Sequence, residues 1–164
     1  AELLAQGHIV GWYQGHGELG PRALGNRSIL MNPTIPNGKD ILNERVKKRE
    51  WWRPFGASVL HEAASKYFDI DDSPYMLYNS NVLVNGLDPI THVDGTCRHQ
   101  TVSEASNSSF YRLLSKFEEK TGLPILLNTS LNVGGKPIAS DKNSAMVDGL
   151  DCIFFGDEKC TKIS

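Results

Sequence analysis

The sequence predicts a mixed α/β domain built on an open, twisted sheet flanked by helices. Short β-rich runs alternate with helical patterns, which is typical of strands connected by helices. The clearest helix is Ser109–Thr121, where apolar side chains recur at i, i+3, i+4 and i+7 after a cap at Ser108 or Ser109. Gly122 ends it and the strand Pro124–Asn128 follows at once, which begins one αβα step of an open sheet. The length of 164 residues predicts a single domain, 1–164, large enough to bury a core.

Several segments have the composition and length of strands. Each is a short apolar or β-branched run bounded by glycine, proline or polar residues. They are His8–Gln14, Ser28–Asn32, Ala57–Leu60, Met76–Val84, Pro124–Asn128 and Asp151–Phe155. The polar, irregular stretch between Asn85 and Ser108 is predicted to be a long loop near a site.

Further helices are indicated at three places. Residues 1–7 resemble the last turns of a helix that ends at Gly7, and no N-cap precedes them, so we expect the chain to be cut from a longer protein. A second helix is predicted at about Lys39–Lys48. A third, Asp141–Asp148, has Ser140 or Asp141 as its cap.

The composition is that of an ordinary globular chain, with 40% hydrophobic and 22% charged residues and a net charge of −2. No apolar run approaches the roughly 20 residues of a membrane span, and no segment has the pattern of a signal peptide, so no membrane partner is expected. The three cysteines, Cys97, Cys152 and Cys160, form no C-x-x-C pair. An odd number without that motif argues against a disulfide framework and a zinc site, and favours a cytoplasmic location.

The charge is unevenly distributed along the chain. Between Arg22 and Arg53, eight lysines and arginines stand against three acids, so this stretch carries +5 and the rest of the chain −7. A basic stretch on an otherwise acidic domain indicates an anionic ligand bound locally rather than general adhesion to nucleic acid.

The segment Gly15–Ser28, GHGELGPRALGNRS, places Arg22 and Arg27 among glycines. Its first half fits G-x-G-x-x-G, but Gly25-Asn26 stops any helix about one turn after Pro21, which disfavours a dinucleotide site. Glycine lets the backbone approach a ligand closely, and arginine supplies a planar fork matched to phosphate or carboxylate. The segment therefore predicts an anion-binding loop.

A second cluster, Lys47–Phe55, places cations around two tryptophans. Trp51 or Trp52 is suited to stacking on a base, and Arg49 and Arg53 are suited to holding phosphates. The alternative is a solvated helix end with its lysines outward and its tryptophans in the core.

A third candidate, Leu127–Asn132, follows a predicted strand. Its amide and hydroxyl groups lie at the carboxyl end of the predicted strand, where open α/β sheets bind ligands. A polar turn with capping side chains is the alternative. The side chains concerned are Asn128, Thr129, Ser130 and Asn132.

The fourth candidate is Thr91–Arg98. His92 and Asp94 alternate onto one face of an extended chain and suit a metal or a proton relay, but two ligands are too few for a metal site and a plain turn is equally consistent. Thr96 and Arg98 suit a phosphate.

Taken together, the four segments resemble the C-terminal domain of the O-carbamoyltransferases, the family of nodulation-factor and antibiotic carbamoylation enzymes. The matching residues run in the family's order and cover nearly the whole chain: Gly20–Ser28, Arg49-Glu50 with Arg53-Pro54-Phe55, Thr91–Thr96, and Leu127–Ser130 with Asn132. The resemblance implies a YrdC-like fold, an open α/β sheet with a basic cavity.

The resemblance also implies a function. The domain is expected to bind ATP, with Mg²⁺, and carbamoyl phosphate, and to form carbamoyl-adenylate with release of pyrophosphate. An N-terminal domain of the sugar-kinase/actin-like type, holding its own metal, would then pass the carbamoyl group to an acceptor hydroxyl. No metal site is expected in the present chain.

Residue roles follow from the same resemblance. The catalytic cations of the anion cavity are expected to be Arg22, Lys47, Arg49 and Arg53. The substrate- and nucleotide-binding residues are expected to be Gly20, Arg27, Thr96, Arg98, Asn128, Thr129, Ser130 and Asn132.

Two other functions stay open. A regulatory nucleotide-binding domain would bind ATP without turnover and without dependence on carbamoyl phosphate. An RNA-binding module of the tRNA-modification type is disfavoured, because the basic stretch is short and the overall pI is about 6.2.

Overall fold

The computed structural model describes residues 1–158, and a six-stranded mixed sheet forms its centre. In chain order the strands are β1 Val10–Tyr13, β2 Arg27–Met31, β3 Gly56–Leu60, β4 Ser80–Asn81, β5 Thr96–Cys97, β6 His99–Val102, β7 Ile125–Ser130 and β8 Cys152–Phe155. The order across the main sheet is β6-β3-β7-β2-β1-β8, with parallel pairs at both edges and antiparallel pairs between them. Strands β4 and β5 pair separately. The predicted α/β class with an open mixed sheet is confirmed.

Short helices and one long helix connect the strands. The α-helices are α1 Glu2–Ala5, α2 Gly38–Leu42, α3 Ala64–Tyr67, α4 Ser108–Thr121 and α5 Lys142–Ala145. Helix α2 continues into a π-helical turn, Asn43–Lys47, and single 3₁₀ turns form at His61–Ala63 and Asp88–Ile90. Within residues 1–158, the helices are all too short or too polar to cross a membrane.

Helix α4 covers one face of the sheet through its apolar stripe. Phe110, Leu114 and Phe117 are fully buried against Leu126 and its neighbours, as the periodicity predicts. Gly122 ends the helix in the left-handed conformation at φ 75°. Its cap is Asn107, whose side chain accepts from the Phe110 N–H at 3.1 Å, rather than either predicted serine.

The second core lies on the opposite face of the sheet, beneath α2 and the π-helical turn. Its members include Leu42, Val46 and Leu127, all fully buried. Cys97 and Cys152 are buried, one in each core, and Cys160 lies outside the described residues. The sheet is therefore covered on both sides, which leaves its strand ends as the places where polar side chains gather.

Two predicted elements are shorter than expected, and a third differs in helix type. In Met76–Val84 the strand is limited to β4, and Met76, at the predicted start, adopts a left-handed conformation at φ 54° that a strand does not accommodate. The predicted helix Asp141–Asp148 is the single turn α5, held by a capping box between Asp141 and Ser144. The predicted helix Lys39–Lys48 forms over nearly its full extent, as α2 followed by the π-helical turn, and ends where Lys48 turns left-handed at φ 48°.

The predicted loop Asn85–Ser108 contains an edge strand of the main sheet, β6, which the sequence does not reveal. Its His99, Gln100 and Thr101 are polar yet buried, so no alternating apolar pattern marks the strand. Each is hydrogen-bonded: His99 to Ser80, Gln100 to Ser58, and Thr101 to Ser73. Hydrogen bonds to these polar side chains offset the cost of burying them, so the strand does not depend on an apolar pattern.

Candidate functional site: an arginine-lined cavity

The sheet topology brings all four sequence segments to one edge. Strand β7 runs antiparallel to β3, so its last residues lie beside the first residues of β3, with Asn128 opposite Gly56. Strand β6 runs parallel to β3, which places Arg98, the residue before β6, next to Gly56. A side chain at Gly56 would stand 2.7 Å from the Arg98 carbonyl oxygen, so the close approach of these strands requires glycine.

A cavity of about 280 Å³ opens at this edge. Three arginines from separate segments line it, namely Arg22, Arg49 and Arg98. Asn128, Thr129 and Ser130 form its polar wall. The described lining contains no aspartate or glutamate, so the cavity presents three cations without a neutralising carboxylate. This arrangement favours a ligand with several negative charges.

The electrostatics of the arginines agree with an anion site. Burial lowers the pKa of Arg22, and the nearby Arg98 lowers it further. Burial likewise lowers the pKa of Arg49, with Arg53 acting in the same direction. The guanidinium groups repel one another in a partly desolvated space, and a bound anion would relieve that repulsion.

Arg49 is held in place by its own neighbourhood. Its Nε donates to Asn43 Oδ1 at 2.8 Å and its Nη2 donates to the Pro54 carbonyl oxygen at 3.1 Å. Its guanidinium also lies 4.6 Å from the centre of the Phe55 ring. These contacts fix the direction of the side chain before any ligand arrives, which reduces the entropy lost on binding.

A buried polar network fixes Asn128 and joins the glycine-rich loop to the sheet. Asn128 Nδ2 donates to the Ala23 carbonyl oxygen at 3.1 Å and to Ser58 Oγ at 2.8 Å. Ser58 donates onward to Gln100 Oε1 at 2.9 Å, and Gln100 Nε2 donates to the Leu24 carbonyl oxygen at 3.0 Å. Sequence analysis missed Ser58 and Gln100, since the only signal is a polar residue inside a strand.

Lys47 lies behind the polar wall rather than in the cavity lining. It is 1% exposed, and its Nζ donates to the Ser130 carbonyl oxygen at 2.7 Å and to Asn132 Oδ1 at 2.7 Å. The Asn132 carbonyl oxygen at 3.0 Å and Ser130 Oγ at 3.3 Å complete the shell. Burial lowers the pKa of Lys47 from 10.5 to about 7, with Arg49 acting in the same direction. The lysine thus positions Ser130 and Asn132, and Asn132 also lies outside the lining.

Arg27 is buried within the glycine-rich loop and faces away from the cavity. Its guanidinium donates to the carbonyl oxygens of Gln14, Gly15 and Asn26 and lies 3.5 Å from the centre of the Tyr13 ring. Because both terminal nitrogens of its guanidinium donate to these partners, Arg27 holds the loop rather than the ligand. Gly20, in the left-handed region at φ 134°, is exposed and also outside the lining.

Glu18 is a further anchor of the same loop that sequence analysis missed. Its Oε1 accepts from the backbone N–H groups of Leu24 at 2.9 Å, Asn26 at 2.8 Å and Arg27 at 3.3 Å. One carboxylate oxygen therefore closes the loop that carries Arg22 to the cavity.

Arg53 and Thr96 lie outside the lining of the cavity. Arg53 forms an ion pair with Glu50 at 3.4 Å on an exposed turn, and Thr96 donates to Asp94 in the turn before β5. Trp51 and Trp52 are 70% and 57% exposed, whereas Lys47 is buried. The exposed tryptophans and the buried Lys47 contradict the alternative in which lysines face solvent and tryptophans enter the core, whereas Lys48 is exposed as that alternative expects.

A second cavity of about 360 Å³ adjoins the first and shares Pro54 and His92 with it. Trp52, Lys39 and Asp94 also line it. An aromatic face next to a cationic cavity suits a ligand that combines a ring with phosphates.

Within residues 1–158, no group of three or more His, Cys, Asp or Glu side chains is arranged to hold a metal.

The sequence of the chain was compared with protein families and with curated proteins. The family described as carbamoyltransferase C-terminus matches residues 1–158. The chain belongs to this family. It is 46% identical to the nodulation protein NolO of Bradyrhizobium diazoefficiens over 92% of the chain and 29% of NolO. It is also 46% identical to a 3'-hydroxymethylcephem-O-carbamoyltransferase of Amycolatopsis lactamdurans, over 81% of the chain and 26% of that protein.

This carbamoyltransferase C-terminal domain also has a solved structural neighbour. HypF, in a phosphate- and nucleotide-bound form, matches with a TM-score of 0.56 over 88% of the chain and 18% of HypF, at 20% sequence identity. That likeness supports the expected α/β fold of YrdC-like type. The chain spans about a quarter to a third of the length of the curated relatives it matches.

Proposed function

We propose that this domain is the carbamoyl-activating part of an O-carbamoyltransferase, which binds ATP and carbamoyl phosphate and forms carbamoyl-adenylate. The observation that carries the proposal is the cavity in which Arg22, Arg49 and Arg98 converge without a carboxylate among the described lining residues. The family membership supplies the carbamoyl chemistry, and the arginines supply a place for its phosphates.

The reaction balances when water cleaves carbamoyl phosphate to carbamate and phosphate, and a carbamate oxygen then attacks the α-phosphorus of ATP. Pyrophosphate leaves and carbamoyl-adenylate remains. Negative charge accumulates on the phosphoryl oxygens during this displacement, and fixed guanidinium groups stabilise it. No covalent protein intermediate is required, which suits a cavity lined by cations and amides.

The two adjoining cavities suggest how ATP is oriented. Its phosphates would occupy the arginine-lined cavity, and its base would lie in the second cavity against Trp52. Arg53 lies in the chain between Trp52, which lines the second cavity, and Pro54, which lines both, so a nucleotide phosphate would pass near it. Mg²⁺ would arrive on the phosphates of ATP, since no carboxylate among the described lining residues of the first cavity stands ready to hold it.

In this proposal, a second domain transfers the carbamoyl group to the acceptor hydroxyl. An N-terminal domain of the sugar-kinase/actin-like type, with its own metal, would receive carbamoyl-adenylate and transfer the carbamoyl group to a hydroxyl. The relatives are longer than this chain, which leaves room for such a domain in them.

The decisive experiment is exchange of labelled pyrophosphate into ATP, with magnesium, in the presence and absence of carbamoyl phosphate. We expect exchange that requires carbamoyl phosphate and is lost in Arg22→Ala, while Lys48→Ala, on an exposed residue, retains it. ATP binding without any effect of carbamoyl phosphate would instead identify a regulatory nucleotide-binding domain. RNA affinity with a steep salt dependence would identify an RNA-binding module. Binding of neither ATP nor carbamoyl phosphate would refute the phosphate site.

A further inference from the structure

The arginine-lined cavity explains how phosphate is bound but not how a carbamoyl group is distinguished from other acyl groups. Carbamoyl and acetyl phosphate differ only in an NH₂ group in place of CH₃. Arg22, Arg49 and Arg98 offer hydrogen-bond donors alone, and the NH₂ group is itself a donor. Recognition of the amide therefore requires an acceptor at the cavity.

His92 is a side chain of this kind, and it lines both cavities. A relay from Asp94 through Thr96 sets its orientation. Asp94 Oδ1 accepts from Thr96 Oγ1 at 2.7 Å and from the Thr96 N–H at 3.1 Å. These hydrogen bonds lower the pKa of the Asp94 carboxyl group, so the relay begins with an ionised acceptor.

The relay decides which ring nitrogen carries the proton. Thr96 has one hydroxyl proton and donates it to Asp94, so its oxygen must accept from His92 Nδ1, which lies 3.0 Å away. Nδ1 is then protonated, and the neutral ring presents an unshared electron pair at Nε2. Two backbone bonds, His92 N–H to the Thr96 carbonyl oxygen at 2.7 Å and Gly95 N–H to the His92 carbonyl oxygen at 3.0 Å, hold the turn.

The surroundings keep the ring neutral. Burial, the largest cause, lowers the pKa of His92, and Arg98 and Lys39 act in the same direction. Asp94 and the Phe55 carbonyl group oppose them. With its proton on Nδ1, the neutral ring leaves Nε2 as an acceptor in a cavity that His92 itself lines. A ligand NH₂ group bound in this cavity can donate a hydrogen bond to it.

We propose that His92 is a specificity-determining residue that accepts a hydrogen bond from the carbamoyl NH₂ group. Thr96 and Asp94 are positioning residues that hold Nε2 toward the ligand. This inference rests on the proposed function, since it assigns the amide of the same carbamoyl phosphate. The amino group of adenine offers the same chemistry, and the test separates the two sources.

The test uses two stable analogues, phosphonoacetamide and acetonylphosphonate, which differ only in NH₂ against CH₃. Their affinities for the chain are measured by calorimetry beside that of inorganic phosphate. The wild type is expected to prefer the amide by about tenfold to a hundredfold, because the methyl analogue leaves the acceptor on His92 unpaired. In His92→Phe the preference falls to about twofold or less, while the affinity for inorganic phosphate stays within about twofold. His61→Phe, the same change at an exposed histidine, leaves the preference intact.

The relay is tested by the matched pair Thr96→Val and Thr96→Ser. Valine removes the hydroxyl and lowers the amide preference severalfold, and serine restores it. Nitrogen NMR of the His92 ring reports the tautomer, with the proton on Nδ1 in the wild type and in Thr96→Ser.

Three results overturn the inference. Equal affinity of the wild type for both analogues would show that the amide contact does not form, while the phosphate site would still stand. A loss of discrimination between ATP and ITP in His92→Phe, with the amide preference unchanged, assigns His92 to the adenine amino group instead. If the wild type binds neither the analogues nor phosphate, the proposed function fails and this assignment fails with it.

Discussion

The basic residues of this domain divide into two regions with opposite uses. In the interior, Arg27 and Lys47 are 4% and 1% exposed, and their terminal nitrogens donate to backbone and side-chain oxygens of the protein. At the sheet edge, Arg22 and Arg98 line a cavity with no carboxylate among its described residues. The interior cations stabilise loops, whereas the edge cations keep donors available for a ligand.

The difference shows that charge alone does not identify an anion site. Arg22 and Arg27 lie five positions apart in one glycine-rich loop, yet only Arg22 reaches the cavity. A buried cation whose terminal nitrogens already donate to the protein has little left to offer a phosphate. Substitutions in the two regions should therefore separate folding stability from ligand affinity.

The largest effect is expected at Lys47. In Lys47→Met, the oxygens of Ser130 and Asn132 lose their donor in a buried place, so we expect a loss of about 3 kcal/mol in the free energy of unfolding. Urea denaturation at neutral pH measures it. Lys48→Ala, at the exposed neighbouring lysine, is expected to change the free energy by less than about 0.5 kcal/mol. Equal effects at the two positions would remove the distinction between the regions.

The same lysine gives a pH-dependent prediction that sharpens the comparison. The pKa of Lys47 is about 7 in the folded protein and near its ordinary value of 10.5 when unfolded. Between these values the unfolded chain binds a proton that the folded chain has released, so stability rises with pH. The slope contributed by one group is at most about 1.4 kcal/mol per pH unit.

Urea denaturation of the wild type and Lys47→Met at about pH 7.5 and about pH 9 isolates this contribution. The stability difference between the two proteins is expected to widen in favour of the wild type as pH rises. A constant difference would mean that the four oxygens around Nζ keep the ammonium charged in the folded state.

The smallest stability effects come from matched changes in the glycine-rich loop. Arg27→Lys removes the planar fork that spans Gln14, Gly15 and Asn26, so we expect a loss of about 1 to 2 kcal/mol in the free energy of unfolding. Arg22→Lys is expected to leave stability within about 0.5 kcal/mol and to weaken phosphate binding about tenfold. Thermal denaturation and calorimetry distinguish the two outcomes, and a reversal of the pattern would show that Arg27, not Arg22, faces the ligand.

Much of the fold can be predicted from local pattern, and the exceptions have identifiable causes. The helix α4 and strand β7 follow from apolar periodicity and from Gly122, since a left-handed helix end favours glycine. Strand β6 does not follow, because its buried residues are polar and their partners lie far away in sequence, as with Gln100 and Ser58. Local pattern carries no information about such partners.

The sequence by itself determined the fold class, the family resemblance and the concentration of cations between Arg22 and Arg53. The tertiary structure alone decided that Arg22, Arg49 and Arg98 converge while Arg27 and Lys47 turn inward. The reason is geometric. The antiparallel pairing of β7 with β3 and the parallel pairing of β6 with β3 bring residues 42 and 72 positions apart to one edge. Which donors remain free there depends on oxygens supplied by distant segments.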